Sequence, residues 1–172
     1  MRTTLPAPAF ARTLSLLALT ALAPACGAGD EPPPTPPAPV QRSPELNVQL
    51  ESQRGGTSHE AGKNCMACHG PNGLGPGLFT VAGTAYTNER LPNPNATLLL
   101  STQANGGGTV VLTLEADANG NFYTTGPVPL PDTLLYPKVK SAVSEAYNFM
   151  PFSTASGACN MCHVGNKPVF LE

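Results

Sequence analysis

Apolar positions are arranged in three different ways along this chain. The first is an unbroken run, "LSLLALTALA" (14–23), preceded by Arg2 and Arg12. It is too short to span a bilayer comfortably and has the form of an export signal covering residues 1–25. In the second stretch, "GAGDEPPPTPPAPVQRSPE" (27–45), prolines crowd out helix and strand and favour an extended polyproline path. That composition predicts a semi-rigid linker over residues 26–45.

The third arrangement consists of short runs rich in Val, Leu, Thr and aromatics: "LFTVAGTAY" (78–86), "NATLLLST" (95–102), "TVVLTLEA" (109–116) and "GNFYTT" (120–125). Turn residues separate them in "NERLPNPN", "QANGGG" and "DANG". "DANGNFY" predicts a tight hairpin, because Asn-Gly readily takes positive backbone angles, and "ANGGG" (104–108) predicts another. Four strands at this spacing predict a mainly β fold, a small β-sandwich. Further on, "GPVPLPDTLLYPKVKSAVSEAYNFMPF" predicts one or two more strands, near Leu134 and over 139–147. A helix over 137–149 competes, since Val139, Val143, Ala146 and Tyr147 also fit helical spacing, and the strand is preferred. The sandwich is assigned to 78–149, between irregular or short-helical segments at 46–77 and 150–172.

Composition narrows the function classes. A chain of 172 residues, 41% hydrophobic and without Trp, has room for one modest core. Its net charge is −2 with no run of Lys or Arg, so the electrostatic footprint of a nucleic-acid binder is missing. Without Arg2 and Arg12, seven Lys and Arg face eleven Asp and Glu, a charge of −4. The β region carries no Gly-x-Ser-x-Gly, no phosphate loop and no paired carboxylates beside a histidine, and reads as a scaffold.

The chemistry lies in cysteine and histidine. "CMACHG" (65–70) and "CNMCHV" (159–164) each place two cysteines three apart with a histidine directly after the second. Covalent haem attachment needs two thiols that meet two vinyl groups on one porphyrin edge, and a neighbouring imidazole for the iron; Cys-x-x-Cys-His supplies all three. Both segments resemble the attachment motif of c-type cytochromes. The first continues as "CHGPNGLGPGLF", similar to the Gly- and Pro-rich stretch that follows the motif in class I cytochromes c. The resemblance implies two haem c groups: Cys65 and Cys68 as thioethers with His69 as proximal iron ligand, and Cys159, Cys162 and His163 for the second.

Only one histidine remains, His59 in "SHEAGKNCMACH", so two bis-histidine irons are excluded within one chain. His59 is a candidate distal ligand to either iron, or a solvated loop residue. Met150 in "NFMPFS" is the other candidate, similar to the Met-Pro-x-Phe neighbourhood of the class I distal ligand, or else a core methionine. Met66 and Met161 lie inside the attachment loops and cannot reach the far face of their own haem. A five-coordinate iron, and self-association in which a second copy supplies a ligand, stay open.

Other resemblances place this chemistry. "APAC" (23–26) resembles the lipobox of bacterial lipoproteins, which implies acylation of Cys26 and a lipid anchor on an exported membrane face; cleavage after Ala25 at an Ala-x-Ala site is the alternative. With Cys26 acylated, the five cysteines reduce to two matched pairs. "VAGTAY … PNATLLL … TVVLTLEADANGNFY" resembles prealbumin-like or carboxypeptidase-regulatory-like β-sandwich repeats over about 78–125. The class I cytochrome fold surrounds its haem with helices, whereas this chain passes from its first motif into strands. Its terminal strands are expected to bring two haem segments to one end of the sandwich.

The expected function is extracytoplasmic single-electron transfer between redox partner proteins. One alternative is a peroxidase-like haem enzyme using an open iron. The other is a non-redox surface-binding sandwich in which the four thiols hold one zinc. Two oxidised Cys-x-x-Cys loops would leave both following histidines unexplained, and a thioredoxin-like pair would need a βαβ context that is missing.

Overall fold

In the computed structural model the described residues are 42–163 and 169–171. The export run, Cys26 and the proline-rich stretch up to Gln41 lie outside them, as do residues 164–168. Among the described residues seven strands form: β1 (Val81–Thr87), β2 (Thr97–Ser101), β3 (Val110–Glu115), β4 (Asn121–Thr124), β5 (Tyr136–Lys140), β6 (Tyr147–Phe149) and β7 (Val169–Leu171). They make two sheets, ordered β4-β1-β7 and β3-β2-β5-β6, with almost no helix. The fold is the mainly β, small sandwich expected of the sequence.

Period-two alternation explains which faces meet. In β2, Leu98 and Leu100 turn inward while Leu99 does not, and in β5 Pro137 and Val139 are buried while Lys138 and Lys140 are not. Val81, Ala85 and Phe122 from the three-stranded sheet close on Leu98, Leu100, Leu114 and Val139 from the other. β2 and β3 pair as the expected hairpin around the turn Ala104–Gly106, with a register shift at Leu100/Ser101.

The "DANG" turn forms but does not make a β3–β4 hairpin. The Asp117 N–H donates to the Asn121 carbonyl at 2.9 Å, and Asp117 Oδ1 accepts the Asn119 and Asn121 amides at 2.9 and 3.0 Å. Beyond it β4 pairs antiparallel with β1, so the turn carries the chain from one sheet to the other. The expected strand over 139–147 divides in two. Ser141 and Ser144 hydroxyls accept the amides of Val143 and Ala146, and the Ser141 N–H donates to the Ala146 carbonyl at 2.8 Å. These local bonds turn the chain between β5 and β6. The helical alternative fails because its four marker residues share no buried face: Val139 is 4% exposed, Val143 89%.

Both flanking segments are bound into the sandwich. Glu51 bridges Thr124, Ala158 bridges Ala82 in parallel, and Leu135 bridges Thr154. β7, within 150–172, pairs parallel with β1 from Ala85 opposite Val169 to Thr87 opposite Leu171. The fold also begins before residue 46: Pro44–Leu46 is a 3-10 turn and Arg42 is hydrogen-bonded to the loop after His69.

Candidate functional site

Residues at i, i+3 and i+4 share one face of a helical turn, and both Cys-x-x-Cys-His segments fold as such a turn. In the first, α1 (Met66–His69), the amides of Cys68 and His69 donate to the Cys65 carbonyl at 3.2 and 2.9 Å. Asn64 begins the turn, its Oδ1 accepting the Met66 amide at 3.2 Å. In the second, Cys159–Met161 is 3-10, and the amides of Cys162 and His163 donate to the Cys159 carbonyl at 3.2 and 3.0 Å. The same five-residue pattern therefore gives the same local shape at two places. The four cysteines are free thiols.

His69 is fixed from three sides. It is 7% exposed and its Nδ1 lies 2.7 Å from the Pro76 carbonyl, a contact in which Nδ1–H donates because a carbonyl only accepts. Its ring stacks on Phe79 at 4.2 Å and 5°, and Phe79 stacks on Tyr123 at 4.9 Å. A glycine is required at 75, because a Cβ there would stand 2.9 Å from His69 Nδ1 and Cε1. The following loop closes back on the turn: the amides of Gly75 and Phe79 donate to the carbonyls of Cys68 and His69 at 2.8 and 2.9 Å.

This turn opens on a cleft of about 690 Å³ lined by Cys65, Cys68, His69, His59 and Tyr123, within the usual range of ligand sites. His59 stands across it, its ring centroid 6.0 Å from that of His69 with 34° between the planes. Asn121 of β4 holds the His59 loop, donating from Nδ2 to Ser58 Oγ at 2.8 Å and the His59 carbonyl at 3.0 Å. The second turn opens on a more apolar cleft of about 250 Å³ lined by Cys159, Cys162, His163, Met150, Phe122 and Val139. Met150 enters it directly after β6, with its amide donating to the Pro137 carbonyl at 3.0 Å. Of the two candidates beyond the motifs, His59 thus lies with the first segment and Met150 with the second.

The two segments meet across β1. Asn160, the residue after Cys159 and only 2% exposed, accepts the Thr84 amide on Oδ1 at 3.1 Å. Its Nδ2 donates to Thr84 Oγ1 at 3.0 Å and to the carbonyl of Lys63, two residues before Cys65, at 2.8 Å. Thr84 Oγ1 also accepts the Gly62 amide at 2.9 Å and donates to Asn121 Oδ1 at 2.6 Å. A buried, satisfied amide network therefore ties the second segment to the entrance of the first.

Burial sets the thiol electrostatics. Cys159 packs against the apolar core, and burial, reinforced by Cys65 and Cys162, pushes its thiol up to about 12 despite a backbone hydrogen bond that lowers it. Burial also raises Cys65, with a smaller contribution from Cys68. Among the described residues, no three His, Cys, Asp or Glu side chains gather as a metal-ion site.

Arg42, Phe79, Thr84, Asn121 and Asn160 were not singled out from sequence. Phe79, Thr84 and Asn121 read only as strand residues, Asn160 occupies a variable position of its motif and Arg42 a proline-rich segment, so none carries a local functional signal. No protein-family model, no curated protein and no solved structure matches this chain.

Proposed function

We propose that this protein is a dihaem c-type cytochrome that passes single electrons between partner proteins outside the cytoplasm. The observation that carries the reading is that both Cys-x-x-Cys-His segments form the same helical turn, each facing a cleft with a second candidate ligand. Cys65 and Cys68, and likewise Cys159 and Cys162, would hold the two haems, with His69 and His163 as proximal ligands. His59 would serve the first iron and Met150 the second.

The donor set fits the group at the first site. His69 Nδ1 is committed to the Pro76 carbonyl, which is how metal-ligating histidines are commonly held. His59 and His69 line one cleft with their ring centroids 6.0 Å apart, so both imidazoles would be available to hold one iron-bearing group there. At the second site the apolar lining and the thioether of Met150 fit a ligand set that raises a haem potential. Haem bound in these clefts supplies a one-electron iron couple. The chain fixes the ligands, excludes water with Phe79, Phe122 and Val139, and through Asn160 sets the spacing between the sites. Acylated Cys26 would anchor the protein to an exported membrane face, with the proline-rich stretch as its tether.

The test is a pyridine haemochrome spectrum with protein quantitation, on chain matured in a host with cytochrome c assembly. Two covalent haems per chain is the expected result, and His59→Ala and Met150→Ala should each perturb the spectrum of a different haem. No haem, with one zinc per chain, would replace this reading by a zinc-stapled sandwich. Pulsed spin-resonance distances should put the irons within about 20 Å, well short of the width of a domain this size.

A further inference from the structure

An arginine presents five N–H donors in a rigid planar fork, so it can tie together several backbone carbonyls that no shorter side chain could reach at once. Arg42, where the described chain begins, does this in the loop behind His69. Nη1 donates to the carbonyls of Gly73 at 2.6 Å and Gly70 at 3.3 Å. Nη2 donates to those of Leu46 at 3.1 Å, Gly77 at 3.0 Å and Gly75, while Nε donates to Asn47 Oδ1 at 3.0 Å. The ion pair found among the described residues joins Arg54 to Glu115, so the Arg42 charge faces carbonyl dipoles.

Two of those carbonyls belong to Gly75 and Gly77, the residues on either side of Pro76. The Pro76 carbonyl between them is the acceptor for His69 Nδ1. Fixing both neighbouring peptides fixes the direction of that carbonyl, and so which ring nitrogen of His69 points into the cleft. Glycines at 70, 73, 75 and 77 leave the loop little stiffness of its own, and the clamp supplies it.

We propose that Arg42 is a positioning residue for the first site: by holding the peptides around Pro76 it aims the His69 ring, joining the end of the proline-rich stretch to the ligand set. The inference rests on the proposed haem reading only for its effect on potential; the aim of His69 is testable without haem.

The test uses the full chain, kept reduced and free of haem, with nitrogen-15 NMR of the imidazoles at about pH 8, above the ordinary histidine range. Wild type should show His69 in a single tautomer with the proton on Nδ1. Arg42→Ala and Arg42→Lys should show a mixture, with the amides of Leu98 and Phe122 unmoved. Lysine keeps the charge but has no planar fork, so a mixture in Arg42→Lys separates positioning from charge. An unchanged His69 pattern in the variants, whatever their stability, would overturn the proposal and leave Arg42 a loop staple. Should Arg42→Ala not fold, Arg42→Lys decides alone. In haem-loaded chain the same variants should shift the midpoint potential of the first haem and leave the second unchanged; equal shifts in both, or none, count against it. A chain that takes up no haem defeats the functional reading, while the nitrogen spectra still decide the role of Arg42.

Discussion

Asn160→Ala removes the side chain that spans the two segments, and its cost can be worked from the bonds it makes. Three hydrogen bonds disappear, to the Thr84 amide, Thr84 Oγ1 and the Lys63 carbonyl. They are not equivalent. Thr84 Oγ1 keeps Gly62 and Asn121 as partners, and the Lys63 carbonyl is partly buried, within reach of water. The Thr84 amide lies in the interior of β1 with the residue 1% exposed, and losing its acceptor strands a donor at about 1–3 kcal/mol. With about 0.5–1.5 kcal/mol for each ordinary bond lost, partly offset by hydration of Lys63, the sum is about 3 kcal/mol. That lowers the Tm by roughly 10 °C in a domain of this size.

The assay is urea unfolding followed by far-ultraviolet circular dichroism on the wild type, Asn160→Ala and Asn148→Ala. Asn148 is exposed and its side chain meets the Phe170 carbonyl at 3.3 Å, so its loss should cost less than about 1 kcal/mol. A double-mutant cycle with Thr84→Ala adds a sharper test: residues sharing one network should couple by about 0.5–3 kcal/mol. If Asn160→Ala lies within about 0.5 kcal/mol of wild type, or its effect adds to that of Thr84→Ala without coupling, the bridge between the segments is refuted.

Three further outcomes follow from the same geometry. In reduced, haem-free chain at about pH 8, an aromatic disulfide reagent should modify the exposed Cys68 and Cys162 first and Cys159 last, since a thiol pushed up to about 12 is about one ten-thousandth thiolate there. The same shift predicts alkaline destabilisation: the folded chain holds the Cys159 proton above the 9.0 of a free thiol, so this contribution is intact below that pH and lost as pH rises toward about 12, measurable as a falling urea midpoint. Gly83→Ala places a Cβ 2.5 Å from Phe122 Cζ and 2.8 Å from Cys159 Cβ, and should cost about 1–3 kcal/mol in urea unfolding.

What the sequence made legible was local. Alternation located β2 and β3 because Leu98, Leu100 and Leu114 turn inward in strands that pair across a short turn. Positions i, i+3 and i+4 brought the thiols and imidazole of each segment to one face, and that needed no tertiary information. The division between β5 and β6 depended on serine hydroxyls at 141 and 144 competing for backbone amides, which hydrophobic periodicity does not register. The turn chemistry after Asp117 is that of a hairpin; whether β4 joins β3 or β1 depends on a pairing surface far back in the chain, from Val81 opposite Thr124 to Thr84 opposite Asn121.

That distant pairing also brings the two segments together. The first segment leads directly into β1, and a C-terminal strand pairing antiparallel to β1 would start from its far end. The chain instead runs parallel: Ala158 bridges Ala82, and β7 continues alongside from Ala85 to Thr87. Cys159 and Asn160 therefore pass beside Gly83 and Thr84, where the loop before Cys65 already folds back through Gly62 and Lys63. A parallel edge has no turn signal, because its strands are separated by a long connection and not a tight loop. The buried amide of Asn160 is the residue such a crossing needs: one side chain that satisfies a strand amide no β7 partner reaches and a loop carbonyl from the opposite segment. Moving that crossing by one residue would carry the Asn160 side chain away from Thr84 and Lys63 and uncouple both segments at once.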